Sequence, residues 1–204
     1  MSIRILVAED HDDMRNHIGN LCNNVSDCKI ISEVTNGLQA VQMAKKLNPD
    51  VVLMDIGMPE LNGMAATHLI KEYNTAIKII GLTMLKEINF VVGMFKAGAS
   101  GYILKDTLDK ELTSAVRLVN QDKIYMSKTI EKNILLDYLE KMNRGDCITA
   151  RYLSSGDLEI LRMLVQGLSL ESISETSVLN SKTVEIIYQK ILQTWVMYIR
   201  SGKG

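Results

Sequence analysis

The first 120 residues alternate between two hydrophobic periodicities. Short unbroken apolar runs, typical of strands buried on both faces, are separated by stretches in which apolar residues recur every three or four positions, as on one face of a helix. The predicted strands occupy residues 3–8, 30–34, 51–54, 77–82 and 102–104. The predicted helices lie within 14–25, 41–47, 65–73, 90–97 and 108–119. This alternation predicts right-handed crossovers and an α/β, doubly wound, parallel five-stranded sheet with helices on both faces.

The pattern changes after residue 120. Apolar residues at helical spacing then predict a single helix; they are Ile130, Ile134, Leu135, Tyr138, Leu139 and Met142. The stretch RGDCITA that follows is typical of a flexible joint. We therefore expect a first domain at 1–120, a linker with a helix at 121–150, and a second, smaller all-α domain at 151–204.

Short helices separated by breaks are predicted from Leu153 onward. Ser154 and Asp157 have the spacing of a capping box and open a helix that ends at Gly167. Ser169 and Ser181 open two further helices in the same region.

Charged and hydroxyl side chains follow four of the five predicted strands. Glu9 and Asp10 follow the first strand, Asp55 the third, Thr83 the fourth and Lys105 the fifth. In a parallel sheet, ligands bind beyond the carboxyl ends of the strands, so these side chains are expected to converge. Clustered carboxylates repel one another unless a cation lies among them, and oxygen ligands suit Mg²⁺. The alternative, unrelated surface charges on loops, requires four strand ends to match by chance.

Residues 3 to about 120 resemble the receiver domain of bacterial two-component response regulators. The motifs that carry the resemblance are AEDH, LMDIGMPELNG, GLT and GASGYILKD. The resemblance implies a flavodoxin/CheY-like receiver in which Asp55 accepts a phosphoryl group from a sensor histidine kinase. It further implies that Glu9, Asp10 and Asp55 hold Mg²⁺ with the backbone carbonyl of Gly57, and that Lys105 neutralises the phosphoryl oxygens.

Two further residues take a switching role by the same resemblance. Thr83 would hydrogen-bond the phosphoryl group, and Tyr102 would turn inward behind it. For Tyr102, a half-buried aromatic residue on a strand is an equally good interpretation.

The second half resembles the LuxR/NarL (FixJ) type of helix-turn-helix output domain. The stretches that carry this resemblance are LSSGDLEILRMLVQGLSLESISE and LNSKTVE. A helix-turn-helix places its recognition helix in the major groove, with the N-terminal residues of that helix at base edges. The resemblance thus implies transcription regulation by DNA binding, with Lys182, Thr183, Glu185 and Lys190 as candidate contacts.

The output domain departs from the family pattern in ways that weaken the DNA prediction. Glu185 stands where a basic residue is usual, Ile187 where histidine is frequent, and Leu170-Glu171 where Asn-Lys is usual. Residues 151–204 contain six Lys or Arg and five Asp or Glu, a net charge of +1. Because phosphate neutralisation supplies much of DNA affinity, this charge favours a rival, a module for protein interaction or self-association. Glu185 could accept a hydrogen bond from the amine of a cytosine, or it could simply face solvent.

The end of the chain predicts one long helix. No Gly, Pro or Asn interrupts the sequence between Ser181 and Arg200, so the third and fourth output helices are expected to be fused into about 20 residues. Its apolar positions follow a four-three spacing: Val184, Tyr188, Ile191, Trp195 and Tyr198. We expect the far end to project and pair with a second copy, giving a homodimer. The alternative is a kink near Gln193-Thr194, with Trp195 folded back onto the helix at Leu158 to Leu164.

Composition sets the remaining limits. The net charge is −1, from 23 Lys and Arg against 24 Asp and Glu, so no overall field indicates a nucleic-acid or membrane partner. Three cysteines without metal spacing favour a reducing cytosol, and no apolar run approaches the roughly 20 residues of a membrane span. We expect a cytoplasmic protein that is not an enzyme, because a receiver accounts for the reactive groups better than a hydrolase does.

Overall fold

The chain divides into two compact units, Met1–Ser127 and Lys128–Gly204. The computed structural model describes residues 2–84 and 86–203, except for the side chain of Lys203. The helix expected within a linker lies inside the second unit. The functional boundaries at 120 and 150 stay predictions.

The first unit is built on a parallel sheet, in which the described residues form six strands in the order β2-β1-β3-β4-β5-β6. The strands are β1 (Ile3–Ala8), β2 (Cys28–Val34), β3 (Val51–Asp55), β4 (Lys78–Thr83), β5 (Gly101–Leu104) and β6 (Tyr125–Met126). The α/β parallel architecture is confirmed, and every residue of β3 is buried, as its unbroken apolar run predicts. The two-residue strand β6 was not predicted, because two residues are too few to show a periodicity.

Helices cover both faces of this sheet. The α-helices described in this unit are α1 (Asp12–Asn23), α2 (Gly37–Leu47), α3 (Gly63–Tyr73), α4 (Ile88–Ala97) and α5 (Leu108–Asn120). Helix α1 packs against α5, whereas α2, α3 and α4 pack against one another in order. Ile5, Val7 and Leu53 face the α1–α5 layer, so the alternate residues of these strands face the opposite layer.

The second unit is helical in its described residues. Its helices are α6 (Lys128–Asn143), a 3₁₀ turn (Ile148–Tyr152), α7 (Ser155–Gln166), α8 (Leu170–Thr176), α9 (Ser181–Tyr198) and a final turn (Ile199–Lys203). The capping box predicted for α7 is confirmed. The fused terminal helix is also confirmed, since α9 runs for 18 residues.

The expectation that the far end of α9 projects away from the domain is wrong. The apolar positions of α9 do not project uncovered: Val184, Ile191, Trp195 and Tyr198 are all buried within the single chain. The ring of Tyr198 lies 5.8 Å from that of Tyr138 in α6. A pairing of two chains through α9 therefore stays a prediction, and it would have to use the residues of this helix that remain exposed.

The segment expected to be a flexible joint is anchored instead. Thr149 is buried, and its hydroxyl lies 2.9 Å from the hydroxyl of Tyr138 and 3.3 Å from the Cys147 sulfur. These polar contacts fix the 3₁₀ turn against α6. Among residues 2–84 and 86–203, no helix has the length and apolar character needed to cross a bilayer.

Candidate functional site

The registers of the central strands bring their carboxyl ends to one edge. Ala8 pairs with Met54, so the residues that follow β1 lie beside the end of β3. Asp55 pairs with Leu82 of β4, and Thr83 pairs with Leu104 of β5. The strand order reverses between β1 and β3, which is where open α/β sheets bind ligands.

Lys105 joins the two innermost carboxylates of this edge. Its Nζ lies 2.8 Å from Glu9 Oε2 and 3.1 Å from Asp55 Oδ2. All three side chains are largely buried. The predicted convergence of Glu9, Asp55 and Lys105 is therefore present, and the ammonium offsets part of the repulsion between the two acids.

One carboxylate oxygen of Glu9 could bind a cation. Its burial raises the pKa of the carboxyl, the hydrogen bond from Lys105 lowers it, and the charge of Asp55 raises it again, with a net upward shift. Lys105 Nζ donates to Glu9 Oε1 at 3.0 Å and forms an ion pair with Oε2, but the buried Oε2 accepts no hydrogen bond from the described residues. A divalent cation would satisfy this oxygen and favour the ionised form, so the site fits Mg²⁺.

Asp10 and His11 complete the acidic group at the mouth of β1. Asp10 is partly exposed, and its Oδ1 lies 2.8 Å from His11 Nδ1. One ligand atom from each of Glu9, Asp10, His11 and Asp55 lies within 4.8 Å of the others. His11 was not predicted as a site residue, although it stands in the AEDH motif beside the acidic pair.

The loop after Asp55 is held by close backbone packing. The Gly57 N–H lies 3.4 Å from Asp55 Oδ1, which keeps the predicted metal-site residue Gly57 beside the carboxylate. At Gly63, which begins α3, a Cβ atom would lie 2.1 Å from the Asp55 carbonyl oxygen. Only glycine allows this approach, so the GMPELNG sequence positions Asp55 through its final glycine.

Thr83, at the end of β4, and Tyr102, on β5, are both buried. Desolvation raises the pKa of Tyr102 to about 12, and a side-chain hydrogen bond with Thr83 partly opposes this shift. Tyr102 is thus turned inward and coupled to Thr83. The alternative of a half-buried tyrosine on the strand does not match this full burial.

A polar group missed by the sequence analysis lies beside β5. The buried hydroxyl of Ser127 accepts from the Leu104 N–H at 3.1 Å, lies 3.2 Å from the Thr107 hydroxyl and donates to Glu111. The Ser127 N–H also donates to the Tyr102 carbonyl at 3.0 Å. Single serines carry no sequence signal, and only the pairing of β6 with β5 places this one.

The N-terminus of α9 carries the predicted DNA contacts. Lys182 is exposed there. The N–H and hydroxyl of Thr183 both donate to Asn180 Oδ1, which caps the helix. Glu185 is partly buried. Thr183 is therefore engaged in helix capping, and Lys182 is the predicted cation best placed for contact.

Lys190 is directed toward its own domain. Its Nζ lies 2.6 Å from Asp157 Oδ2, and Asp157 is the buried residue of the α7 capping box. Burial raises the pKa of Asp157, but hydrogen bonds from Lys190 and Ser154 outweigh it and hold the pKa below its usual range. The structure thus gives Lys190 a structural contact that the sequence did not indicate.

Apolar side chains are exposed on the same part of the second unit. Val178, in the turn before α9, is fully exposed, and Ile186 is 60% exposed. This surface is therefore less polar than a typical phosphate-binding face.

Comparisons with known proteins agree with this arrangement. The family described as response regulator receiver domain matches residues 5–117. The oxygen regulatory protein NreC of Staphylococcus epidermidis is 30% identical over 188 residues, covering 90% of this chain and 86% of that protein. The transcriptional regulatory protein DegU of Brevibacillus brevis is 28% identical, covering 94% of this chain and 86% of that protein. The crystal structure of a LuxR-family two-component response regulator from Aurantimonas sp. SI85-9A1 has a TM-score of 0.62 at 28% identity, covering 64% of this chain and 94% of that one.

The sheet with its acidic edge is a receiver domain. The match over more than half of the chain, together with the NreC similarity, assigns the protein: it belongs to the response regulator family and is of the NarL/LuxR type.

Proposed function

We propose that this chain is a phosphorylation-controlled regulator of transcription. Asp55 accepts a phosphoryl group from a sensor histidine kinase, and the second unit then binds DNA. The observation that carries the proposal is the position of Asp55, which lies 3.1 Å from Lys105 at the mouth of a fully buried strand. Phosphoryl transfer depends mainly on positioning and electrostatic stabilisation, and a fixed carboxylate with an adjacent ammonium provides both.

In the proposed reaction, a carboxylate oxygen of Asp55 attacks the phosphorus of a phosphohistidine. The P–O bond forms as the P–N bond breaks, and the imidazole nitrogen leaves with the electron pair. Lys105 neutralises negative charge on the phosphoryl oxygens throughout the transfer.

Glu9, Asp10 and Asp55, with the backbone carbonyl of Gly57, would hold Mg²⁺. When bound, this ion supplies further positive charge against the phosphoryl oxygens. The buried Glu9 oxygen without a hydrogen-bond partner among the described residues supports this assignment.

Thr83 and Tyr102 would report the change of charge. A Thr83 hydroxyl that turns toward the phosphoryl group gives up its hydrogen bond with Tyr102, which alters the setting of a buried side chain on β5. Such a local electrostatic event can bias a two-state element.

DNA binding through α9 is supported by the helix-turn-helix order of α7, α8 and α9 and by the transcriptional role in the name of the relative DegU. Lys182, Thr183 and Glu185 are the proposed contacts. Lys190 would contribute only by leaving Asp157. The resulting affinity is expected to be weak and only slightly dependent on salt.

A second candidate function has its own observation. The exposure of Val178 and Ile186 favours a phosphorylation-controlled module that contacts a protein. In that case Lys182 and Glu185 lie at the rim of the contact rather than on DNA.

The phosphorylation proposal is tested with a small acyl phosphate donor and Mg²⁺ on the full chain. We expect the mass of one phosphoryl group to be added at Asp55, mapped after borohydride reduction. Asp55→Asn abolishes this addition, whereas Asp13→Asn, at an exposed acid of α1, retains it. Phosphorylation that persists in Asp55→Asn, or that ignores chelation of Mg²⁺, contradicts the proposal.

The DNA proposal is tested by the salt dependence of binding, with and without phosphorylation. Each phosphate contact contributes a slope of about 0.9 in log K against log salt. Glu185→Lys should steepen the slope by about one contact. Absence of measurable binding in both states, with phosphorylation intact, would favour the protein-interaction module.

A further inference from the structure

The two-residue strand β6 ends before its pairing with β5 is complete. Ser127, the next residue, donates its N–H to the Tyr102 carbonyl at 3.0 Å. In a parallel ladder, the carbonyl of the same residue would then accept the N–H two positions further along β5, which is that of Leu104. The chain turns into α6 at this point, and the side-chain hydroxyl of Ser127 accepts from Leu104 at 3.1 Å in place of the carbonyl.

The hydroxyl protons of Ser127 and Thr107 have defined acceptors. Ser127 donates its one hydroxyl proton to Glu111 in the first turn of α5, so its oxygen is left to accept from Leu104. Thr107 donates to the Leu104 carbonyl at 3.0 Å. Both backbone polar groups of Leu104 are therefore held by side-chain hydroxyls, and Ser127 is itself fully buried.

Lys105, which directly follows Leu104, reaches the acidic edge from this fixed backbone. The lysine side chain is a flexible four-carbon stem, so the place of its ammonium is defined only at its two ends. At the far end, Nζ lies 2.8 Å from Glu9 and 3.1 Å from Asp55. At the near end, the peptide group that joins Leu104 to Lys105 is the one whose carbonyl Thr107 holds.

Loss of the Ser127 hydroxyl would leave a buried donor without a partner. Leu104 is buried, and an unpaired N–H there carries the full penalty of its lost hydration. The backbone would relax to recover a hydrogen bond, and the root of Lys105 would move with it. A displacement of about 1 Å in a catalytic group is enough to slow a reaction strongly.

We propose that Ser127 is a positioning residue for Lys105: its hydroxyl holds the end of β5 so that the ammonium lies between Glu9 and Asp55 before a phosphoryl group arrives. It acts through the backbone of Leu104 and not on the phosphoryl group itself. This inference rests on the proposed function and adds to it a residue that none of the receiver motifs contains.

The first experiment follows phosphorylation of the full chain by a small acyl phosphate with Mg²⁺, using intact mass spectrometry. We expect Ser127→Ala to slow the reaction about tenfold. Ser100→Ala is the matched control and should leave the rate unchanged, because Ser100 stands just before the other end of β5 and contacts Ile79 of β4 through its backbone N–H, at 2.8 Å. A Ser127→Ala rate equal to that of the unsubstituted chain overturns the proposal.

A double-mutant cycle separates positioning from a general loss of structure. If Ser127 acts through Lys105, Ser127→Ala slows the chain that has Lys105 but has no further effect in the Lys105→Met background. A purely structural defect slows both backgrounds by the same factor, and that result overturns the proposal.

Pulse acetylation with acetic anhydride tests the geometry without phosphorylation. The Lys105 side chain is 8% exposed and should react slowly in the unsubstituted chain, and we expect Ser127→Ala to raise its labelling severalfold. Unchanged labelling of Lys105 overturns the proposal. If labelling rises as expected but the unsubstituted chain takes no phosphoryl group on Asp55, the proposed function fails while the positioning of Lys105 is supported.

Discussion

Two sets of charged and polar residues were predicted from short motifs. The receiver edge comprises Glu9, Asp10, Asp55 and Lys105, and the α9 surface comprises Lys182, Thr183, Glu185 and Lys190. The two sets use these residues differently. At the receiver edge, Lys105 contacts two acids from different strands, and one buried Glu9 oxygen keeps no hydrogen-bond partner among the described residues. At α9, Thr183 caps its own helix and Lys190 neutralises Asp157. The receiver edge therefore retains a buried oxygen that can accept a ligand. On the α9 surface, by contrast, Thr183 and Lys190 form contacts that stabilise the second unit.

This difference shows that a motif match has to be tested by the contacts of its side chains. A polar residue whose hydrogen bonds are complete within the domain has to break them before it binds a ligand, at a cost of about 1 kcal/mol or more for each bond. At the receiver site only the buried Glu9 Oε2 accepts no hydrogen bond from the described residues, so a ligand of this oxygen has none to break. On the α9 surface, Thr183 and Lys190 do have such bonds to break, and this is the physical reason to expect weak DNA affinity.

The largest expected effect comes from the far end of α9. Trp195 is 1% exposed, so Trp195→Ala should reduce the free energy of unfolding of the second unit by about 3–5 kcal/mol. Urea unfolding followed by far-UV circular dichroism measures it. Met197, 52% exposed on the same helix, is the matched control, and Met197→Ala should cost less than about 0.5 kcal/mol.

If both substitutions reduced the free energy of unfolding by similar amounts, Met197 would have to be buried against another molecule. Truncation after Gln193, with the mass measured in solution, then tests whether that molecule is a second copy of this chain. A smaller oligomer after truncation would show that it is.

The next effect concerns Lys105, the residue that most clearly separates the two regions. Lys105→Met removes the charge nearest Asp55, and we expect phosphorylation by a small donor to slow by about 10²–10³-fold. Lys190→Met should leave the phosphorylation rate unchanged, because Lys190 is engaged with Asp157. Rates from intact mass spectrometry test both, and equal rates for the Lys105 variant and the unmodified chain would contradict the assigned role.

Gly63 tests how tightly the receiver edge is built. A methyl group there would collide with the Asp55 carbonyl oxygen, so Gly63→Ala should cost about 1–3 kcal/mol in stability. At Gly57 a Cβ would meet nothing within 4 Å, so Gly57→Ala should stay within about 0.5 kcal/mol. Denaturant unfolding compares the pair, and similar values would show that the loop relaxes around the added methyl.

The smallest expected effect is the pH dependence of the Asp157–Lys190 contact. The folded-state pKa of Asp157 lies below its unfolded value of about 3.9, so this carboxyl stabilises the fold above that pH and loses the contribution as pH falls through the folded pKa. Lys190→Met should cost about 1 kcal/mol at neutral pH, because Lys190 is partly exposed. Acid titrations of both proteins should converge at low pH, and parallel curves would exclude the linkage.

The sequence predicted most of the fold and the acidic edge because both depend on local patterns. Unbroken apolar runs identify β1 and β3 without reference to distant residues, and the polar residues after them then fall at one edge by topology alone. The fused α9 was predictable for the same reason, since it required only the absence of helix-terminating residues between Ser181 and Arg200.

The remaining features depend on contacts between distant residues. The burial of Trp195 and Tyr198 depends on packing of α9 within the second unit, and the spacing of the seam does not reveal what covers it. The contact of Lys190 with Asp157 joins residues 33 positions apart. His11 had a sequence signal in the AEDH motif, but only the structure shows the direction of its ring.

The hydrogen bonds of Ser127 have a consequence for how the receiver can be isolated. A fragment that stops at residue 120 loses β6 and leaves the Leu104 N–H and the Tyr102 carbonyl without the partners they have in the intact chain. These groups lie on the strand that carries Tyr102, the proposed switch residue, and leads to Lys105. A fragment that stops at 127 keeps them paired, so amide hydrogen exchange at Leu104 should be slow in the longer fragment and faster in the shorter one. The seven residues between the two ends therefore complete the hydrogen bonding of the strand that leads to Lys105.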